Sequence, residues 1–135
     1  MRLGFHTLRY AAIVWACLIV LAPTTSANDL VKREVLKRFD ISENEKLEVI
    51  VTRIDIAPGA TIPRHSHPGD EIVYVVKGGL VSVPGKPPIE FKVGQTILFP
   101  RGKVHGGFTV TGTQAIQAIT THIVDKGQPV TIPAK

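Results

Sequence analysis

The sequence predicts an all-β domain, an antiparallel sandwich or barrel, and three observations lead to this fold class. Short runs rich in β-branched residues recur between residues 47 and 124, as is typical of strands. Glycine and proline separate these runs at nearly every boundary, which indicates turns. No convincing long helical pattern interrupts them, and 135 residues leave room for a single domain.

The N-terminal end is typical of a secretory signal. The first ten residues carry two arginines and no acid, the next 12 are apolar and uncharged, and Pro23 and small residues follow up to Ala27. A helix that spans a membrane needs about 20 apolar residues, so a cleaved signal is favoured over an anchor. We expect a signal peptide over residues 1–27, a domain over 28–135, and a periplasmic or secreted protein without membrane association after cleavage.

Composition excludes several classes of function. The single cysteine, Cys17, lies in the predicted signal, so the mature domain has neither a disulfide nor a thiol nucleophile. Residues 28–135 contain 14 Lys and Arg against 11 Asp and Glu, a net charge of +3. These charges are scattered, without a basic run interleaved with aromatic residues, so nucleic-acid binding is not expected.

The strands are predicted in order along the domain. Residues 28–40 are ambiguous, because Val31 and Val35 suit a helical face while Val35 and Phe39 suit an opening strand. Strands are then predicted at 47–56, 72–76, 80–83, 89–93, 96–99 and 114–124. Within the first of these, alternation places Glu48, Ile50, Thr52, Ile54 and Ile56 on one face and the odd-numbered residues from 47 to 55 on the other.

Four histidines and one acidic residue are the candidates for a functional site in the domain. His65 and His67 lie two residues apart, so an extended chain presents both rings on one face, and Glu71 keeps the same parity. Imidazole nitrogens and a carboxylate oxygen suit a first-row divalent metal. His105 follows a Pro-Arg-Gly turn and would add a ligand from another strand, whereas His122 shares an apolar face and is assigned to the core. Taken alone, these residues are compatible with two interpretations: a metal site, or polar residues that lie apart from one another in the fold.

Wider spacing favours the metal site. Gly59 is followed after five residues by His65-Ser66-His67, after three more by Glu71 and after six more by Gly78. A second block places Gly94, Pro100, Gly102 and His105 at intervals of five, one and two residues. With these nine positions the chain resembles the cupin superfamily, in particular small single-domain, quercetin dioxygenase-like cupins of the conserved-barrel type. One departure is Thr109, which stands where the second motif closes with asparagine.

The resemblance implies a jelly roll, or double-stranded β-helix, with a short N-terminal segment. It implies one divalent transition metal per chain, Fe, Mn, Ni, Cu, Co or Zn, held inside the barrel by His65, His67, Glu71 and His105. The four glycines of the two motifs become permissive backbone corners. An octahedral ion with four protein ligands would keep two positions for water or substrate.

The resemblance also directs the expected function. The first hypothesis is an exported metal-dependent enzyme that acts on a small organic molecule, an O2-dependent dioxygenase of the quercetinase type, with Glu71 as catalytic general base. Decarboxylation or isomerisation on the same scaffold stays open. The alternative is a non-catalytic periplasmic barrel that binds a metal or a small ligand. Cupins commonly pair, so a homodimer is also expected, with residues 30–39 as a candidate exchanged strand.

Overall fold

The computed structural model describes residues 30–134, and the ordered elements in that range are β-strands. The predicted signal peptide lies outside the described residues, so it stays a prediction. Within this range no helix has the length and apolar character needed to cross a membrane. The strands are β1 (Val31–Ile41), β2 (Asn44–Ile56), β3 (Thr61–Ile62), β4 (His65–Ser66), β5 (Gly69–Lys77), β6 (Gly79–Ser82), β7 (Ile89–Phe91), β8 (Thr96–Phe99), β9 (Phe108–Val110), β10 (Ile116–Asp125) and β11 (Ile132–Pro133).

Two antiparallel sheets form the domain, as expected for a jelly roll. The larger sheet has the order β1-β2-β10-β5-β8, and the smaller has the order β3-β9-β6-β7. A third, two-stranded pair joins β11 to β4. Because β10 lies between β2 and β5, the last long strand of the chain occupies the centre of the larger sheet. The predicted all-β fold class is confirmed.

Alternation along the central strands sends one set of side chains between the sheets. In β2 the buried set includes Ile50, Thr52 and Ile56, so the predicted assignment of faces is confirmed. β10 alternates strictly between buried and half-buried residues over its whole length. A strand that is covered on one face shows this period of two, because successive side chains point to opposite sides.

The interior is divided into a packed core and a cavity. The core is a cluster of small and branched apolar side chains from both sheets: Ile56, Ala60, Ile62, Val81, Val110 and Ile116. A cavity of about 920 Å³ extends beside this core, between the two sheets. Its volume lies near the upper end of the roughly 300–1,000 Å³ typical of small-molecule sites.

Several boundaries differ from the sequence prediction. The ambiguous first segment is a strand, β1, and it pairs along its length with β2. Pairing with β2 satisfies the backbone hydrogen-bonding groups along one edge of β1, although the side chains of β1 are largely exposed. The strands β3, β4, β9 and β11 have only two or three residues, and such short strands carry no recognisable alternation in the sequence.

Candidate metal centre

Two connecting segments bring the predicted ligands together. His65 lies in β4 and His105 in the loop before β9, and their backbones exchange two hydrogen bonds. The His65 amide donates to the His105 carbonyl at 3.0 Å, and the His105 amide donates back at 2.9 Å. The amide of Gly102 donates to the carbonyl of His67 at 3.0 Å. These bonds hold the two motif segments side by side, next to the start of β5, which carries Glu71.

Three ligand atoms converge at the separations that a bound ion requires. His67 Nε2 lies 3.2 Å from His105 Nε2 and 3.2 Å from Glu71 Oε2. His105 Nε2 lies 2.9 Å from the same oxygen. Two ligands bound at about 2.1 Å and at right angles to each other lie about 3.0 Å apart. The donor set therefore fits a single first-row divalent metal in size and chemistry.

His65 joins this cluster from the exposed side. Its ring centroid lies 4.4 Å from that of His105 and 4.9 Å from that of His67. One nitrogen from each of these three histidines falls within 4.8 Å of the others. The structure thus brings together all four residues predicted as ligands, and their role in binding metal stays a prediction.

Backbone carbonyls fix the orientation of the three rings. The Nδ1 atom of His65 lies 2.8 Å from the carbonyl oxygen of Pro63, and that of His105 lies 2.9 Å from the carbonyl of Lys103. His67 Nδ1 reaches the carbonyl of Val130 at 2.6 Å. Each ring can therefore donate its Nδ1–H to a carbonyl and point an Nε2 lone pair at the centre. Histidine ligands in metal proteins almost always have such a partner.

Burial and hydrogen bonding set the charge state of the cluster. Burial by itself would raise the pKa of the Glu71 carboxyl, which is 6% exposed. Hydrogen bonds with His105, His122 and His67 outweigh that effect and hold its pKa far below the ordinary value. Burial would lower the pKa of His105, but its bonds to Glu71 and to the Lys103 carbonyl raise it. Burial lowers the pKa of His65. The cluster thus pairs an ionised carboxylate with imidazoles that face it.

Sequence reasoning missed one member of the cluster. His122, assigned to the core, places its Nε2 3.3 Å from Glu71 Oε1 and is 7% exposed. His67, Glu71 and His122 form a second group of closely spaced ligand atoms. The alternation of side chains along β10 correctly predicted that His122 lies on the buried face of the strand. Only the pairing of β10 with β5, which sets His122 opposite Glu71, shows which residue it meets.

Other polar residues near the motifs have structural partners. Arg101 forms a two-pronged ion pair with Asp125, at 2.7 and 3.0 Å, and its amide donates to Asp70. Thr109, in the position of the motif asparagine, has its hydroxyl 2.8 Å from that of Thr61 across the β3–β9 pair. The departure from the motif therefore contributes a cross-strand hydrogen bond at the barrel corner.

The motif glycines serve two different purposes. Gly59, Gly94 and Gly102 have positive φ angles, as the corner prediction requires. Gly78 does not, so that part of the prediction is wrong. A Cβ there would lie 2.2 Å from the carbonyl oxygen of Phe91, and the residue is therefore required for close approach of two backbones rather than for a left-handed corner.

Comparisons with known proteins agree with this geometry. The family model described as "Cupin domain" matches residues 52–124. Germin-like protein 3-8 of Oryza sativa subsp. japonica is 42% identical over 82 residues, which cover 55% of this chain and 35% of that protein. Oxalate oxidase GF-2.8 of Triticum aestivum is 37% identical over 101 residues, which cover 66% of this chain and 45% of that protein. The chain spans less than half the length of these curated relatives.

A solved structure supports the fold independently. The polyketide cyclase RemF from Streptomyces resistomycificus superimposes with a TM-score of 0.58 at 20% identity, covering 78% of this chain and 72% of that one. Cupins commonly bind a single metal, and the histidine-rich cluster described above can hold one. The matched family model spans more than half of the residues, including the whole cluster. The chain belongs to the cupin family.

Proposed function

We propose that the chain is an exported, metal-dependent enzyme that acts on a small organic anion inside the barrel. The observation that carries this proposal is the convergence of His67, Glu71 and His105 at ligand spacing on the wall of a cavity large enough for a small molecule. A divalent metal bound there would supply a Lewis acid that polarises a substrate oxygen. The other requirements for chemistry come from the protein itself.

Charge in the cavity supports an anionic substrate. Among the described residues that line it, the only carboxylate is Glu71, which is engaged with three histidines. Four cationic residues line the same cavity: Arg33, Arg38, Arg64 and Lys86. Most of the remaining lining is aliphatic or aromatic. A molecule with an apolar body and a carboxylate or enolate group matches this distribution, because the cations that line the cavity outnumber its one carboxylate, even though Arg38 also pairs with Glu48 at 3.3 Å.

Oxidation with O2 is the leading reaction class. The similarity to a protein named oxalate oxidase supports an oxidation of a small carboxylate. The germin-like protein and the oxalate oxidase reported above do not support the quercetinase subtype that the sequence resemblance suggested, so we propose the broader class. The apolar walls formed by Phe91, Phe99 and Phe108 would exclude water from the bound substrate, and Phe99 stacks on His105 at a centroid distance of 3.9 Å.

Glu71 is proposed to accept a proton from the bound substrate. Glu71 is the one acid that lines the cavity within residues 30–134. The histidines orient it, so that Oε2 faces His67 and His105 while Oε1 faces His122. A carboxylate within hydrogen-bond reach of a substrate can act as a general base.

Metal analysis followed by O2 uptake tests the proposed function. The purified protein should contain one equivalent of a transition metal, and a carboxylate such as oxalate or benzoate should stimulate O2 uptake more than the matched alcohol does. An Arg33→Gln variant should weaken carboxylate binding and leave the metal content unchanged. A protein that binds no metal from the series Mn, Fe, Co, Ni, Cu and Zn would disprove the metal-dependent function.

A Glu71→Gln variant tests whether Glu71 acts as a general base or only as a metal ligand. Gln keeps the size and one coordinating oxygen but loses the charge and basicity, so turnover should fall by about 10²–10⁴, with a smaller effect on substrate affinity. The comparison must use metal-saturated proteins, because an empty site would mimic a catalytic defect. Wild-type turnover in the saturated variant would remove the general-base role.

The second candidate is a non-catalytic barrel that binds a small ligand. One observation favours it. Among the described residues that line the cavity outside the metal cluster, the polar side chains are three threonines and the four cations. Among these side chains only Lys86 belongs to a residue type that commonly acts as a general acid or base in enzymes. Tight binding of an aromatic carboxylate without turnover, across a broad panel and with metal bound, would select this candidate.

A further inference from the structure

His122 and Glu71 face each other on neighbouring strands at the floor of the metal centre. They are register partners in the β10–β5 pair, so their backbones fix them side by side. Both are buried, at 7% and 6% exposure. His122 Nε2 lies 3.3 Å from Oε1 of Glu71, whereas the other carboxylate oxygen, Oε2, faces His67 and His105. The two oxygens of Glu71 therefore have different neighbours.

Hydrogen bonding distinguishes His122 from the other three histidines. His65, His67 and His105 each place Nδ1 within 2.9 Å of a backbone carbonyl, which requires Nδ1–H and leaves the Nε2 lone pair for a metal. Within residues 30–134 the buried Nδ1 of His122 has no hydrogen-bond partner. A ligating histidine almost always donates its second ring N–H, and in the same range His122 has no acceptor for an Nδ1–H.

We infer that His122 is a positioning residue that donates its Nε2–H to Oε1 of Glu71 and is not itself a metal ligand. This assignment rests on the metal centre of the proposed function. It places the proton on the only ring nitrogen that has an acceptor among the described residues and leaves the unpartnered Nδ1 without a proton. An orphaned ring N–H is thereby avoided at a buried position.

The consequence is a carboxylate that can turn only one oxygen to the metal. With Oε1 engaged by His122, Oε2 alone is directed at the point where His67 and His105 converge. The His122 ring also lies edge-on to that of His67, with centroids 4.6 Å apart, so packing limits its rotation. Loss of such a supporting partner typically weakens metal binding by about 10–100-fold.

Nitrogen-15 NMR of the Zn²⁺-loaded protein tests the tautomers directly. We expect Nε2–H for His122 and Nδ1–H for His65, His67 and His105, with the His122 signals assigned by their loss in a His122→Gln variant. An Nδ1–H tautomer for His122 would overturn the inference. If the wild-type protein binds none of Mn, Fe, Co, Ni, Cu and Zn, the proposed function fails, but the tautomer of His122 in the metal-free protein above pH 8 still decides this assignment.

A pair of variants tests the consequence for the metal. The amide nitrogen of His122→Gln reaches roughly the place of Nε2 and can donate the same bond, whereas His122→Leu cannot. In chelator competition with Zn²⁺, Leu should lower the affinity about 10–100-fold and Gln should restore most of it. Val124→Ala, at the next inward-facing position of β10 and fully buried, controls for general destabilisation and should leave affinity unchanged.

Pulsed EPR of Cu²⁺-loaded protein counts the imidazoles and keeps the inference refutable if His122→Leu fails to fold. The expected count is three in the wild type and three in His122→Gln. A count of four that falls to three in the Gln variant would make His122 a ligand. Equal Zn²⁺ affinity in wild type and His122→Leu would show that Glu71 needs no such support. Either result would overturn the inference while leaving the metal-dependent function in place.

Discussion

Gly106 supports the metal centre without touching the metal, and an added methyl group there should disturb it. The residue has φ +75°, and a Cβ built on it would lie 2.4 Å from the carbonyl oxygen of Pro63 and 3.1 Å from Nδ1 of His65. That carbonyl is the partner of His65 Nδ1, at 2.8 Å. In a Gly106→Ala protein the Pro63 carbonyl must move by about 1 Å to reach ordinary contact distance, and the orienting bond to His65 is lost or bent.

Two separate contributions determine the magnitude. A left-handed conformation costs an L-residue about 1–2 kcal/mol relative to glycine. Overpacking against a fixed backbone atom adds typically 1–3 kcal/mol. Gly127 provides the matched control, because its φ of +77° is nearly the same and a Cβ added there would meet no atom of the described residues within 4 Å. Gly127→Ala should therefore show the backbone cost alone.

Thermal unfolding and metal competition give the two readouts. A free energy of 1 kcal/mol corresponds to roughly 4–8 °C in a domain of about this size, so Gly106→Ala should unfold at least about 4 °C below Gly127→Ala. Its affinity for Zn²⁺ in chelator competition should fall by about 10–100-fold, whereas that of Gly127→Ala should match the wild type. Equal melting temperatures and equal affinities in the two variants would refute this reasoning.

The remaining predictions concern the ligands, pH, export and assembly. His67→Ala should lose the bound metal while Ser66→Ala, the neighbour between the two histidines, retains it; a tightly bound equivalent in His67→Ala by elemental analysis would contradict the ligand assignment. Metal affinity should fall as pH drops through about 6.5, because protons compete with the metal for the ligand nitrogens. The pKa of His105 is raised and that of His65 is lowered, so His105 should become protonated at a higher pH than His65. A metal affinity that stays constant in titrations between pH 5 and 8 would exclude imidazole ligands. Mass spectrometry of exported protein should show a chain that begins at Asn28, and a dominant species that still carries residues 1–27 would disprove cleavage there. Sedimentation should detect a dimer that Phe39→Asp, on the exposed strand β1, dissociates; a monomeric wild type would remove the expected homodimer.

Local patterns of the sequence were sufficient for the fold class and most of the strands. Alternation in residues 47–56 divided the side chains of β2 correctly between two faces, because successive side chains in a strand point to opposite sides, and the structure shows which of these faces is buried. The boundaries were less accurate. β2 begins at Asn44 rather than at Leu47, since it continues as far as β1 offers partners, and that pairing is a long-range property. The short strand β4 was missed because two residues carry no periodicity.

The sequence by itself determined which residue types stand in the two cupin motifs, and the resemblance to those motifs implied that His65, His67, Glu71 and His105 meet. Only the tertiary structure decided how each is held. The carbonyl that orients His67 belongs to Val130, 63 residues away along the chain, and His122 meets Glu71 through the register of β10 on β5. The physical reason is that side-chain parity and turn chemistry are local, whereas hydrogen-bond partners depend on which strands become neighbours when the sheets form.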